Sequence, residues 1–248
     1  MLFIQAFAWI FTGSNWTAGP VAGQRLVETL VTTGWSVLIV VVIAFPVGVL
    51  IGHTGRGRGA AILVSNIARA IPALGLLSLL VLLLSIGLLP VVIVLVILGI
   101  PPMLAGVYAG IEAVDRQTID AARAMGMTEL QIITRVELPL AAGLILGGFR
   151  ATVLQVVATA VIGSYFQSNG LGYLVTQGLA SQDYPKMLAG AILIVALVLL
   201  LDAILAIVQK LVTPRGVSRG TTDPEGSTRA RGPRARTRTP SLQEGMQS

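Results

Sequence analysis

Residues 120–139 read DAARAMGMTELQIITRVELP. Charges recur along this stretch at Asp120, Arg123, Glu129, Arg135 and Glu137, yet it stands between two apolar runs, each long enough to cross a lipid bilayer. A charged helical segment so placed must lie at the water interface, where a partner from the aqueous phase can dock.

The rest of the chain agrees with a membrane reading. Its 248 residues are 54% hydrophobic and 11% charged, and the mean hydropathy is +0.85, a balance that belongs to an integral membrane protein rather than to a soluble core. Cysteine is absent, which excludes disulfides and thiolate metal sites. No metal ligand set, cofactor motif or catalytic residue is expected. The net charge of +6 would suggest nucleic acid in a soluble protein. Here much of the excess follows the last apolar run, so topology or the membrane surface accounts for it and no nucleic-acid partner is expected.

About 20 mostly apolar residues make a transmembrane helix. Five segments qualify, 30–52, 60–87, 88–110, 138–163 and 187–208, so the expected fold is an all-α polytopic membrane protein with about five transmembrane helices. Residues 2–11 are a shorter apolar run, read as interfacial with Trp9 and Trp16 as headgroup anchors. No basic residue precedes this run and no convincing small-residue cleavage site follows it, so a signal peptide is not expected. Arg56, Arg58, Arg116, Arg123, Arg135 and the basic residues from Lys210 onward share one side of the membrane, against Arg25 and Lys186 on the other. The positive-inside rule then places the amino terminus outside and the carboxyl terminus in the cytoplasm. A sixth membrane segment over residues 1–17 would move the amino terminus alone.

Three regions are expected: an extracytoplasmic or interfacial segment 1–25, a transmembrane domain 26–212 with a cytoplasmic loop 111–137, and an Arg- and Pro-rich tail 213–248. The tail has too few apolar residues to offset its ordering entropy and reads as disordered. It serves either as a solvated topological signal or as a contact for anionic lipid.

Within the loop, Glu112, Arg116, Asp120 and Arg123 recur at helical spacing as a ladder of opposite charges. Val114, Ala121, Ala122 and Met125 form a small apolar face, and Gly126 is placed to end the helix in a left-handed cap. Thr128 and Gln131 make a T-x-x-Q capping box that starts a second short helix. Leu138 and Pro139 then open the next span, where proline is tolerated in the first turn. Periodicity alone leaves open whether this is a docking element or an ordinary helical connector.

The pattern D-A-A, glycine four residues after the second alanine, nine residues, then aliphatic-x-Leu-Pro resembles the EAA loop of bacterial ABC importer permeases. Asp120 stands where Glu is commoner and Val136 where Ile is commoner. The similarity runs from about residue 26 to 216. NIARAIPALG (66–75), GIPPMLAGVYAGI (99–111), SNGLGYLVTQGL (168–179) and LVTPRG (211–216) resemble permeases that import glycine betaine, choline, carnitine or proline betaine as osmoprotectants. The resemblance implies a MetI-like importer permease fold in the bacterial cell membrane. It also implies a cytoplasmic ATP-binding subunit, a second permease subunit, identical or paralogous, and an extracytoplasmic substrate-binding protein. Asp120, Ala121, Ala122 and Gly126 would be the coupling contact and hinge, with Leu138 and Pro139 fixing the loop to the fourth span. A bulky acid at Ala122 is expected to uncouple transport. The only lysines, Lys186 and Lys210, do not follow a glycine, so no P-loop is present and ATP hydrolysis falls to another chain.

Proline and glycine interrupt the spans at Pro46, Pro72, Pro90, Pro101, Pro102, Gly143, Gly147 and Gly148. The glycines read as close packing through small residues. Pro72 and the Pro101–Pro102 pair read as kinks that line a path. Arg69, Arg150 and Asp202 lie inside spans, where a charge costs several kcal/mol and faces protein or water. Asp202 is expected to pair with Arg150 or with Arg69. The competing reading is that an arginine lines the path and repels cations, or rearranges during gating. Between the last two spans, Asn169, Gly170, Gly172 and Tyr173 belong either to a re-entrant extracytoplasmic gate or to a packed surface loop. The lone histidine, His53, reads as a solvated turn residue. The rival functional readings are a self-sufficient secondary transporter or channel, and an ABC permease for another small solute. A membrane-embedded enzyme lacks the motifs it would need.

Overall fold

The computed structural model describes residues 2–17, 22–167 and 169–212, and among these residues it is helical without strands. The tail 213–248 lies outside the described residues. The elements, in order, are α1 (Leu2–Phe11), α2 (Ser14–Thr17), α3 (Ala22–Thr54), α4 (Arg58–Ala70), α5 (Ala73–Leu84), α6 (Leu88–Glu112), α7 (Arg116–Ala124), α8 (Glu129–Ile132), a π-helical turn (Ile133–Glu137), α9 (Leu138–Gly163), α10 (Gly172–Ala180) and α11 (Tyr184–Val212).

α3, α6, α9 with its preceding turns, and α11 are each long and apolar enough to cross a membrane. The segment expected as one span over 60–87 is instead two helices, α4 and α5, bent by 84°. Proline explains the break. Pro72 has no N–H to donate and forces Ile71 into extended backbone (φ −75°, ψ 124°), so the helix ends at Ala70 and a new one starts at Ala73. By contrast, α6 runs without interruption through Pro101 and Pro102.

Contacts between chain-distant residues sort the helix ends. His53 and Glu137 meet, as do Arg58 and Glu112, so the ends of α3 and α6 and the starts of α4 and α9 share one end, here the loop end. Gln209 of α11 bonds the carbonyl of Gly143 near the same end. Glu28, near the start of α3, bonds Gly170 at the far end.

The hub is α6. Half of its most apolar window is buried, against 6% for α11. α3 runs parallel to it, with Gly48 seated on Val107 and Gly52 on Ile111. α9 crosses it antiparallel at Gly106 and Gly148. A Cβ built on Gly148 would stand 2.6 Å from the Gly106 Cα, so only two glycines permit this approach. Gly143 and Gly147, expected to form a helix-packing pair, face α11, where Gln209 bonds the Gly143 carbonyl and lies against Gly147. One core gathers Val40, Ala44, Leu104, Val107 and Ile111, which includes the loop end, and a second gathers Val91, Leu95, Val153 and Val156.

The amino-terminal region differs from expectation. α3 starts at Ala22 rather than near residue 30, which brings Arg25 and Glu28 into the helix. Trp9 and Trp16, expected as headgroup anchors, pack against the cluster of Ala22, Leu171, Leu174 and Leu197. The Trp16 indole N–H donates to the Ile10 carbonyl at 2.6 Å, which satisfies its polar edge.

Candidate functional site

α7 is a separate helix because Asp115 caps it: its carboxylate accepts the Gln117 N–H at 3.0 Å. The expected charge ladder is therefore not formed. Glu112 ends α6 and pairs with Arg58, while of the expected rungs the Arg123–Asp120 contact forms, at 3.3 Å. At the other end of α7, Gly126 adopts φ +83°. Gly126 N–H donates to the Arg123 carbonyl at 2.9 Å and Met127 N–H to the Ala122 carbonyl at 3.2 Å, the paired bonds of a Schellman cap. Thr128 and Gln131 then form a reciprocal capping box: Thr128 N–H donates to Gln131 Oε1 at 2.9 Å, and Gln131 N–H to Thr128 Oγ1 at 3.4 Å.

α8 is not an isolated helix. It flows through the π turn into α9, with Leu138 N–H donating to the Ile133 carbonyl. Pro139 follows immediately; its ring has no N–H and would crowd the Arg135 carbonyl in a regular helix, and the widened turn relieves that conflict. Leu138 packs on the loop-end core, while Pro139 is exposed.

The loop's two faces separate residues that the sequence groups together. Ala122 is buried at 2% exposure and Val114 is buried beside the core, whereas Asp120, Ala121 and Gly126 are exposed. Met125 and Leu130 project outward at 76% and 71% exposure. A bulky acid at Ala122 therefore unseats the loop itself, besides any effect on a docked partner. Arg123 spans the glycine hinge, donating through Nε and Nη2 to the two Glu129 oxygens at 2.7 and 3.1 Å. This bidentate bond holds the Glu129 carboxyl below its ordinary range and raises the Arg123 guanidinium.

His53 is not the solvated turn residue expected. Its Nδ1 lies 2.8 Å from Oε2 of Glu137, and its Nε2 lies 3.1 Å from Oε2 of Glu129. Glu137 is 1% exposed. Each ring nitrogen lies within hydrogen-bonding distance of a carboxylate. The histidine thus ties the end of α3 to both ends of the segment 129–137. Sequence gave little signal, because 84 positions separate His53 from Glu137.

Inside the bundle, Asp202 meets Arg150 and not Arg69. Arg150 Nε donates to Oδ1 at 2.6 Å and Nη2 to Oδ2 at 2.7 Å, joining α9 to α11. Arg69 stands elsewhere, on the rim of a cavity of about 400 Å³ where α4 breaks. Pro72, the residue that makes the break, is exposed, and Pro102 lines the same cavity with Gln155. A second, apolar cavity of about 510 Å³ lies among α3, α9 and α11, lined by residues such as Leu30, Val37, Phe149 and Leu205.

At the far end, the segment after α9 is fastened to α3. Gly170 N–H donates to Glu28 Oε2 at 2.9 Å and Leu171 N–H to Thr29 Oγ1 at 2.8 Å. Gly170 sits at φ +80°, a conformation that suits glycine. Arg25 bonds Glu28 at 3.0 Å and stacks 4.5 Å over the Tyr173 ring. Gly172 lets α10 approach α9, since a Cβ there would stand 2.5 Å from the Val161 carbonyl. Asn169 is exposed. From sequence Arg25 carries meaning only as a topological charge, and Glu28 and Thr29 carry none; a charged i,i+3 pair beside an apolar run is the only signal for this contact.

Residues 41–215 match the family described as binding-protein-dependent transport system inner membrane component. The chain is 32% identical over 199 residues to the carnitine transport permease protein OpuCD of Listeria monocytogenes serotype 1/2a (strain 10403S), covering 80% of this chain and 89% of the relative. It is 30% identical over 184 residues to the choline transport system permease protein OpuBB of Bacillus subtilis (strain 168), covering 74% and 85%. Among solved structures, an inward-facing conformation of the MetNI methionine ABC transporter aligns with TM-score 0.68 at 27% identity, over 77% of this chain and 95% of that one. Two ends joined by a broken span, a charged loop locked at one end and a similarity that covers most of each relative lead to one assignment: this chain belongs to the inner membrane components of binding-protein-dependent transport systems.

Proposed function

We propose that this chain is the transmembrane permease subunit of an ATP-driven importer of osmoprotectants, compact quaternary ammonium compounds such as glycine betaine, choline, carnitine or proline betaine. The observation that carries this reading is its similarity, along most of their length, to permeases named for carnitine, choline and glycine betaine transport. The loop end faces the cytoplasm, in keeping with its excess of Arg, and the far end faces outside. A separate ATP-binding subunit docks on the face made by Asp120, Ala121, Met125 and Leu130. Gly126 is the hinge, and Leu138 and Pro139 carry the loop's movement into α9. A second permease subunit completes the path, and an extracytoplasmic binding protein delivers the solute near Asn169, Gly170, Gly172 and Tyr173.

Support for a docking role comes from the loop's construction. Its caps shape it into two short helices on either side of Gly126, while Met125 and Leu130 leave apolar surface uncovered on an otherwise polar segment. The test is uptake of labelled glycine betaine, choline, carnitine and proline betaine into proteoliposomes holding the permease, its ATPase and its binding protein. ATP-dependent accumulation of at least one is expected. Gradient-driven uptake by the permease alone, or ATP-driven uptake restricted to an unrelated solute, would overturn the reading.

A further inference from the structure

Arg150 in α9 and Arg69 near the end of α4, where the bent pair breaks, are treated differently. Arg150 is neutralised by Asp202 through two hydrogen bonds. Arg69 makes no hydrogen bond or ion pair with any described residue. Arg69 is exposed in the single chain, and a cation in a membrane-spanning bundle needs an opposite charge or water, because an unpaired charge in hydrocarbon costs several kcal/mol. Arg69 has a place to find one, for it lies on the rim of the 400 Å³ cavity, a volume within the range of small-molecule sites, about 300–1,000 Å³.

The cavity is lined from four helices, α4, α5, α6 and α9, at points well along them from the loop end. At about 1.5 Å per residue, Arg69 is roughly 16 Å along α4 from Arg58, Pro102 roughly 15 Å along α6 from Glu112, and Gln155 roughly 25 Å along α9 from Leu138. No acidic side chain lines it. Its polar groups are Arg69 and Gln155, and Ile71, Ala73 and Leu98 supply an apolar wall. The first turn of α5 begins at this wall. Its first intrahelical bond runs from Leu76 N–H to the Pro72 carbonyl, so the N–H groups before it face the break and add to the positive potential. No aromatic side chain is present to stack on an ammonium group.

We propose that this cavity is a waypoint for substrate in which Arg69 binds the carboxylate of a zwitterionic osmoprotectant. The carboxylate accepts two charge-assisted bonds from the guanidinium, Gln155 offers a further polar contact, and the methylated end lies against the apolar wall. The site favours betaines and carnitine over choline, which is a cation without a carboxylate. This inference rests on the osmoprotectant reading above.

The test compares wild type, Arg69→Gln and Arg69→Lys in proteoliposomes containing the complete transporter, with labelled glycine betaine and choline as probes and assembled-complex yield as the folding control. Losing a charge-assisted contact should lower glycine betaine uptake by about 10-fold or more in R69Q. R69K should retain most of it, and choline uptake should stay level or rise in R69Q. Glycine betaine uptake that is unchanged in R69Q, or that falls in step with choline uptake, would overturn the waypoint and leave the osmoprotectant reading intact. A wild-type complex that accumulates no member of the substrate panel overturns both.

Discussion

Arg150 and Arg69 are the same side chain in two situations, and the difference is a partner on another helix. Removing one member of the Arg150–Asp202 pair leaves an uncompensated charge, whereas removing both does not. Arg150→Ala and Asp202→Ala should each cut the yield of folded protein several-fold, and the double mutant should recover most of it, as read by size-exclusion profiles in detergent. Thr128 is a smaller test. Its hydroxyl is one half of the capping box, so Thr128→Ala should cost about 1 kcal/mol of loop stability, measured by hydrogen exchange of residues 128–132. The Arg123–Glu129 bond also has a pH signature. Because the Glu129 carboxyl is held low in the folded loop, its contribution is complete above the ordinary Glu range, about pH 4.3, and is lost as pH falls through the lowered value. Loop protection factors should therefore stay level from pH 7 to about 5 and drop only in stronger acid.

Helix packing depends on where side chains are missing. Gly148→Ala would place a Cβ 2.6 Å from the Gly106 Cα and 3.1 Å from the Pro102 carbonyl, and backbone cannot yield as a side chain can. This substitution should cost about 1–3 kcal/mol, seen as a lower melting temperature in detergent. Gly34→Ala is the control: nothing lies within 4 Å of its Cβ position, so stability should hold or rise slightly. The same logic explains the broken span. Its apolar length was legible as one crossing, but whether Pro72 kinks a helix or splits it depends on what receives the freed backbone and the turned segment. Here α6 and α9 receive α5 on their sides. Pro101 and Pro102 show the opposite outcome, since neighbours packed on both sides hold α6 continuous.

For the whole molecule, the decisive contrast is between a locked loop end and a membrane face left apolar. Leu199, Leu200, Ile204 and Leu211 of α11 are exposed, as lipid or a second subunit requires. Met125 and Leu130 are exposed as well, but on the charged loop rather than on an apolar helix face. Met125→Asp with Leu130→Asp should leave the permease in the membrane yet reduce co-purification of the ATP-binding subunit at least about 10-fold and ATP-driven uptake with it. Retained co-purification in that double mutant would place the docking face elsewhere.

Hydropathy and spacing settled much of this chain alone. Spans of about 20 apolar residues, the Thr128–Gln131 box and the Gly126 cap depend on local energetics, which neighbouring residues carry in full. The choice of Arg150 as the partner of Asp202, the burial of Ala122 against the exposure of Ala121, and the seat of His53 between Glu129 and Glu137 came only with tertiary structure. The physical reason is one of range. Helix formation is written in contacts three to five residues apart, while pairing and burial join residues 52 or 84 positions apart, through a helix register that no local pattern encodes.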